Sequence, residues 1–122
     1  MTALGVLILS TDPLAAALLG AAVELAGHTP LFPLENENPR DTLRRVRPAV
    51  ALIDCDHEEA CTETFFGPAM MIGARLAVFT SSRSRRVLEP IAAEFGVHIV
   101  GLPIEFDELS RILEGRVDPP KT

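Results

Sequence analysis

The chain has 122 residues, of which 48% are hydrophobic, so its length fits one domain with a substantial core. Its formal net charge of −6 argues against nonspecific nucleic-acid binding, which needs a basic face to neutralise phosphates. Its apolar runs are shorter than the ~18 residues of a membrane span, and no basic stretch precedes the first of them, so we expect a cytoplasmic protein without a membrane partner.

The chain begins with a strand signal followed by a helix signal. Residues 5–9 form a continuous apolar run, which is typical of a strand covered on both faces. Asp12 is a good N-cap and Pro13 a good first helical residue, and the helix that they predict ends at Gly27. The apolar spacing of this helix comes from four leucines: Leu14, Leu18, Leu19 and Leu25.

A weaker strand, a short helix and a second strong strand follow. The two prolines within Thr29–Leu34 suit only an edge strand. Asn38 repeats the cap signal before a proline and predicts a helix through about Arg47. Residues 49–56 form the second strong strand, with Asp54 near its carboxyl end.

The second half continues the alternation of helices and strands. Residues 58–71 favour a helix, although the Gly67-Pro68 pair is predicted to break or shorten it. A strand follows at residues 75–80. The next helix is predicted from Arg83 to Phe95, and Pro90 should distort it.

A last strand at residues 97–103 and a last helix at residues 105–115 complete five strands and five helices in strict alternation. Because crossovers between parallel strands are right-handed, this order predicts an α/β fold: a doubly wound parallel sheet between two layers of helices. We expect the domain to span residues 1–117, with residues 118–122 as a flexible tail or the start of a linker.

The residues at the strand ends resemble those of receiver domains in two-component response regulators. Open α/β folds bind their ligands at these ends. The resemblance covers residues 4–115 and is carried by four stretches: LILSTDPL, ALIDCD, AVFTSS and VGLPI. It implies a flavodoxin-like five-stranded sheet of order 2-1-3-4-5 in a three-layer sandwich. It also implies a role in signal transduction, and we do not expect the chain to be an enzyme.

The same resemblance assigns roles to the strand-end residues. The phosphoacceptor position falls on Asp54, and the hydroxyl that binds the phosphoryl group falls on Thr80. The acid pair that holds Mg²⁺ falls on Ser10 and Thr11. The lysine that balances the phosphoryl charge falls on Leu102, followed by Pro103, which should keep the turn after the last strand.

This pattern indicates a disabled phosphorylation site. Uncharged hydroxyls remove most of the attraction for a divalent cation, and a leucine cannot balance a phosphoryl dianion. Asp12 is better explained as a helix N-cap. The leading hypothesis is a degenerate receiver that acts as a phosphorylation-independent protein-interaction module and needs no cofactor.

Two alternatives stay open. In the first, a histidine kinase still phosphorylates Asp54 with the help of Mg²⁺ in an atypical metal shell, to which Asp56 could contribute a second carboxylate. In the second, the vacated crevice binds a small ligand, and Ser10, Thr11 and Leu102 line it.

The family analogy places the partner-binding surface on the fourth and fifth helices and the last strand. A signalling protein or a second copy of the chain is the expected partner. The residues at the edge of this surface are Arg83, Arg85, Arg86 and Glu89, with Ile99 beneath them at the position of the family's switch aromatic.

The remaining clusters favour plain structural roles. Cys55, His57 and Cys61 invite a metal hypothesis, but they form neither a CxxC pair nor an HExxH motif, so no metal site is predicted. A second basic cluster, Arg44, Arg45 and Arg47, is interpreted as a solvated helix face.

Overall fold

The computed structural model describes residues 3–54, 63–80, 82–101 and 106–115. Five parallel strands form one sheet of order β2-β1-β3-β4-β5. The strands are β1 (Gly5–Leu9), β2 (Thr29–Leu31), β3 (Val50–Asp54), β4 (Arg75–Thr80) and β5 (His98–Gly101). The helices are α1 (Pro13–Leu25), α2 (Pro39–Val46), α3 (Glu63–Met71), α4 (Ser82–Phe95) and α5 (Phe106–Leu113). The predicted alternation, the fold class and the sheet order are confirmed.

Two apolar clusters lie on opposite faces of the sheet. Successive strand residues point to opposite faces, so Leu7 and Leu9 of β1 join one cluster while Val6 and Ile8 join the other. The first cluster includes buried side chains of α2, α3 and α4, and the second includes buried side chains of α1 and α5. Both faces are therefore covered, which explains why the central strands are continuous apolar runs.

The helix boundaries follow the cap signals in the sequence. Asp12 accepts a hydrogen bond from the backbone N–H of Leu14 at 3.2 Å, at the start of α1. Asn38 accepts one from the N–H of Asp41 at 2.9 Å, at the start of α2. At the end of α2, Arg47 takes the left-handed conformation with φ of 42°, and this terminates the helix.

A polar network ties the β2–α2 connection to α2. Arg45 donates to both carboxylate oxygens of Glu37 at 2.8 Å, and the buried Thr42 hydroxyl donates to Glu37 Oε1 at 2.7 Å. The bonds from Arg45 and from the Leu34 backbone N–H lower the pKa of Glu37 to about 2. One member of the second basic cluster, Arg45, is thus held by this connection.

The predicted break at Gly67-Pro68 is wrong, because α3 runs through both residues to Met71. Pro68 removes one backbone bond, to the carbonyl of residue 64 near the start of the helix. A proline inside a helix costs about 3 kcal/mol. Phe65 and Phe66 are 2% and 1% exposed, and burying two such side chains is worth at least about that much. Packing therefore outweighs the local penalty.

The edge strand is shorter than predicted, since β2 ends at Leu31 and Phe32 is already half exposed. Pro33 cannot donate to a ladder, so nothing in the sequence extends the pairing. The part of residues 58–71 before Glu63 lies outside the described residues, as do Leu102 and Pro103 and the tail after residue 115.

Candidate functional site

The register of the parallel strands brings the predicted crevice residues to one edge of the sheet. Leu9 of β1 pairs with Ile53 of β3, so the next residues, Ser10 and Asp54, lie side by side. Asp54 pairs in turn with Phe79 of β4, and Thr80 follows one position later. Three residues from different parts of the chain therefore meet at the carboxyl ends of β1, β3 and β4.

A hydrogen bond joins two of these residues. The Ser10 hydroxyl donates to Oδ2 of Asp54 at 2.8 Å. The backbone N–H of Asp12 donates to the same hydroxyl oxygen at 3.2 Å, which leaves the hydroxyl proton for Asp54. Because Asp54 is only 4% exposed, this bond supplies the buried carboxylate with one of its donors and links β1 to β3.

Thr11 and Asp12, which follow Ser10, lie at the start of α1. Thr11 is exposed, and Asp12 uses its carboxylate to cap α1. Mg²⁺ prefers carboxylate ligands in near-octahedral geometry, and neutral hydroxyls contribute far less attraction. Within the part of the chain that the structure describes, no group of three or more His, Cys, Asp or Glu side chains could hold a metal ion.

Several predicted site residues fall outside that part. These are Cys55, Asp56, His57, Cys61, Leu102 and Pro103. Asp56 as a second carboxylate and Leu102 at the lysine position therefore stay predictions. Thr80, in contrast, is placed: it is 2% exposed and pairs in register with Gly101, the last residue of β5 before Leu102.

The predicted partner surface is only partly described. Arg86 and Glu89 are exposed on α4, whereas the side chains of Arg83 and Arg85 are outside the described ones. Ile99 is half buried and packs against the apolar cluster beneath α4. The residue predicted at the switch position is thus an aliphatic side chain that packs against the core.

The bond between Ser10 and Asp54 is the feature that sequence reasoning missed. The sequence pattern assigns Ser10 to the position of the acid pair or to the lining of a ligand crevice, although Ser10 follows β1 directly and Asp54 ends the paired strand β3. Parallel register alone would have placed the hydroxyl beside the carboxylate, so the information was present in the pattern of strands.

Comparison with known proteins supports the fold. No protein-family model matches the chain, and no curated protein sequence matches it. The signal receiver domain of a modulated diguanylate cyclase from Desulfovibrio desulfuricans G20 is similar in structure, with a TM-score of 0.75, 23% identity and 93% of each chain covered. A response regulator receiver domain protein from Clostridium thermocellum gives a TM-score of 0.73, 13% identity and the same coverage.

A third similar structure is the receiver domain of the PhyR response regulator from Erythrobacter litoralis. It gives a TM-score of 0.65 and 17% identity over 100% of this chain and 98% of that one. Response regulator receiver domains thus share the architecture of this chain over nearly its whole length. The chain has the receiver fold.

None of the described helices is long and apolar enough to cross a membrane.

Proposed function

We propose that this chain is a degenerate receiver domain that binds a protein partner in two-component-type signalling without phosphorylation of Asp54. The single observation that carries the proposal is the hydrogen bond from the Ser10 hydroxyl to Asp54 Oδ2 at 2.8 Å. It puts a neutral donor where a receiver would keep a carboxylate for Mg²⁺, and it occupies an oxygen of the would-be nucleophile.

Electrostatics supports this reading of the crevice. Phosphoryl transfer to a carboxylate brings two negative groups together, and a bound Mg²⁺ normally neutralises the developing charge. With hydroxyls at Ser10 and Thr11 and an apolar side chain at Leu102, the crevice offers little positive charge to do so. The proposal therefore includes no enzymatic activity, no cofactor and no metal. It assigns the domain to residues 1–117, with residues 118–122 as a flexible tail or the start of a linker.

The partner in this proposal is a signalling protein in the cytoplasm, and the surface is the α4–β5–α5 face. Its support is the arginine cluster of α4, of which Arg86 is exposed in the structure. Substitution of Arg85 and Arg86 by alanine should weaken binding of that partner. The matched control is the Arg40→Ala and Arg44→Ala pair, which removes the same charge from exposed positions on α2.

The crevice is tested by a backbone NMR titration with Mg²⁺ and then beryllofluoride, which mimics a phosphoryl group. We expect no concentrated shifts at Asp54 and Thr80 in the natural chain. The positive control is the triple variant Ser10→Asp, Thr11→Asp and Leu102→Lys, which restores the charged positions and should respond.

The competing function is an active receiver that accepts a phosphoryl group on Asp54 through an atypical metal shell. The observation in its favour is that Asp54 and Thr80 are both buried, at the carboxyl ends of the adjacent strands β3 and β4. Shifts at these two residues in the natural chain, on addition of Mg²⁺ and beryllofluoride, would establish this alternative and overturn the proposed one.

A further inference from the structure

The outer face of α1 is apolar although it faces solvent. Leu14, Leu18 and Leu25 are 66%, 64% and 79% exposed, and Ala17 and Ala21 are exposed beside them. The 13-residue helix carries one charged side chain, Glu24. A surface helix normally presents polar and charged residues on this side, so the face is unusual for a helix at the surface of a monomeric domain.

The chain's own core does not use these leucines. The buried residues of α1 are Leu19, Gly20 and Val23, which lie on the opposite side of the helix. The outer residues follow a 4-3-4 spacing, which places them in one stripe along the axis: Leu14, Leu18, Ala21 and Leu25. Such a stripe is the pattern of a seam between two helices.

We propose that this stripe is the interface of a homodimer in which the α1 helices of two copies pack antiparallel about a two-fold axis. In an antiparallel pair centred between Leu19 and Gly20, the residue numbers of two opposing positions add up to 39. Leu18 then faces Ala21 of the second copy, and Leu14 faces Leu25 of the second copy. A large side chain meets a small one at the centre, and the stripe is complementary to itself, as a two-fold interface requires.

The charges agree with this pairing. Glu24 would face Ala15 of the second copy, so the two Glu24 carboxylates are not opposed. Each would lie near the first turns of the other helix, where the helix dipole favours a negative charge. The proposal does not depend on the state of Asp54 or on the α4–β5–α5 face.

The area is sufficient for a reversible dimer. Phe32 is 42% exposed and its ring lies against α1, where a Cβ on Gly20 would meet Phe32 Cζ at 3.0 Å. A fully exposed side-chain carbon has about 30 Å² of accessible surface. Scaled by their exposed fractions, Phe32, Leu14, Leu18 and Leu25 together expose roughly 350 Å² of apolar surface. Interfaces are about 60% apolar, so this corresponds to about 1,200 Å² in total for two copies, the lower end of specific interfaces.

Sedimentation of the full chain between about 1 µM and about 1 mM tests the proposal, since weak interfaces of this size bind in that range. The average mass should rise from that of one chain toward that of two. Leu18→Glu should raise the dimer dissociation constant at least tenfold. Its circular dichroism should be unchanged, because Leu18 faces solvent in the monomer. The matched control is Met71→Glu, at an 89% exposed position on α3, which should leave dimerisation intact.

A charge pair tests the antiparallel register. The double variant Leu18→Glu with Ala21→Lys should recover dimerisation, because an antiparallel pair sets Glu opposite Lys at both central contacts. A parallel pair would set like charges opposite each other. A monomeric natural chain throughout the range overturns the proposal. So does a dimer that survives Leu18→Glu, or one that Met71→Glu abolishes equally.

Discussion

Removing the Ser10 hydroxyl should destabilise the fold measurably, although the residue lies at the end of a strand. The Ser10→Ala variant loses a 2.8 Å hydrogen bond to a carboxylate that is 4% exposed. Hydrogen bonds to charged groups are worth about 1.5–3 kcal/mol, and water entering beside the half-exposed serine should recover part of that. We therefore expect the free energy of unfolding to fall by about 1–2 kcal/mol. For a chain of this length, the melting temperature should fall by about 4–8 °C.

Urea unfolding followed by far-ultraviolet circular dichroism is the suitable assay, since the chain contains no tryptophan or tyrosine. Ser10→Thr keeps a hydroxyl at the position and serves as the conservative control, with most of the stability retained. In an Asp54→Asn background the Ser10→Ala cost should fall by at least half, because the acceptor is no longer charged. The reasoning is refuted if the free energy of unfolding of Ser10→Ala lies within ~0.3 kcal/mol of that of the natural chain. It is also refuted if Ser10→Ala lowers this free energy equally in the natural chain and in the Asp54→Asn background.

Two further predictions concern other contacts. Gly115→Ala should cost about 1 kcal/mol more than Gly96→Ala. Both glycines have positive φ, but only at Gly115 would the new Cβ displace the Arg75 guanidinium, which donates to the carbonyl of Leu113 at the end of α5 at 2.6 Å. The added cost is the loss of this hydrogen bond, and equal costs in thermal unfolding would contradict it. Arg45→Met should lower the melting temperature most above pH 4.5. The bond to Arg45 is the largest of the contacts that lower the pKa of Glu37 from 4.5 to about 2, so that difference should shrink as the pH falls through this window; a difference that does not change with pH would contradict it.

The sequence predicts the fold well because its signals are redundant. The apolar runs of β1, β3 and β4 were each recognisable alone, and the caps at Asp12 and Asn38 fixed the start of two helices. The error at Gly67-Pro68 arose because a local rule was applied without the packing of the helix around it. Propensity is local, whereas the burial of Phe65 and Phe66 depends on residues far along the chain.

The helix α1 shows a different limit. Its leucine spacing predicts a helix, but it does not say which side faces the sheet. Leu19 and Val23 are buried, while Leu14 and Leu18 are exposed on the other side. Both sides are apolar, so periodicity within one chain cannot choose between them. The choice depends on what else packs on the helix, which includes other molecules.

The crevice and α1 meet at Ser10, and under the proposed function this junction gives the Ser10 hydroxyl a structural role. Three carboxylates at one sheet edge repel one another unless a cation neutralises them, so such a site lowers the stability of its own fold. The Ser10 hydroxyl instead donates a hydrogen bond to the Asp54 carboxylate, and its oxygen also accepts from the N–H of Asp12, the residue that caps α1. The Ser10 hydroxyl therefore joins the start of α1 to β3. In the functions that we propose for the crevice and for α1, this helix presents its outer face to a second molecule without a phosphoryl group on Asp54.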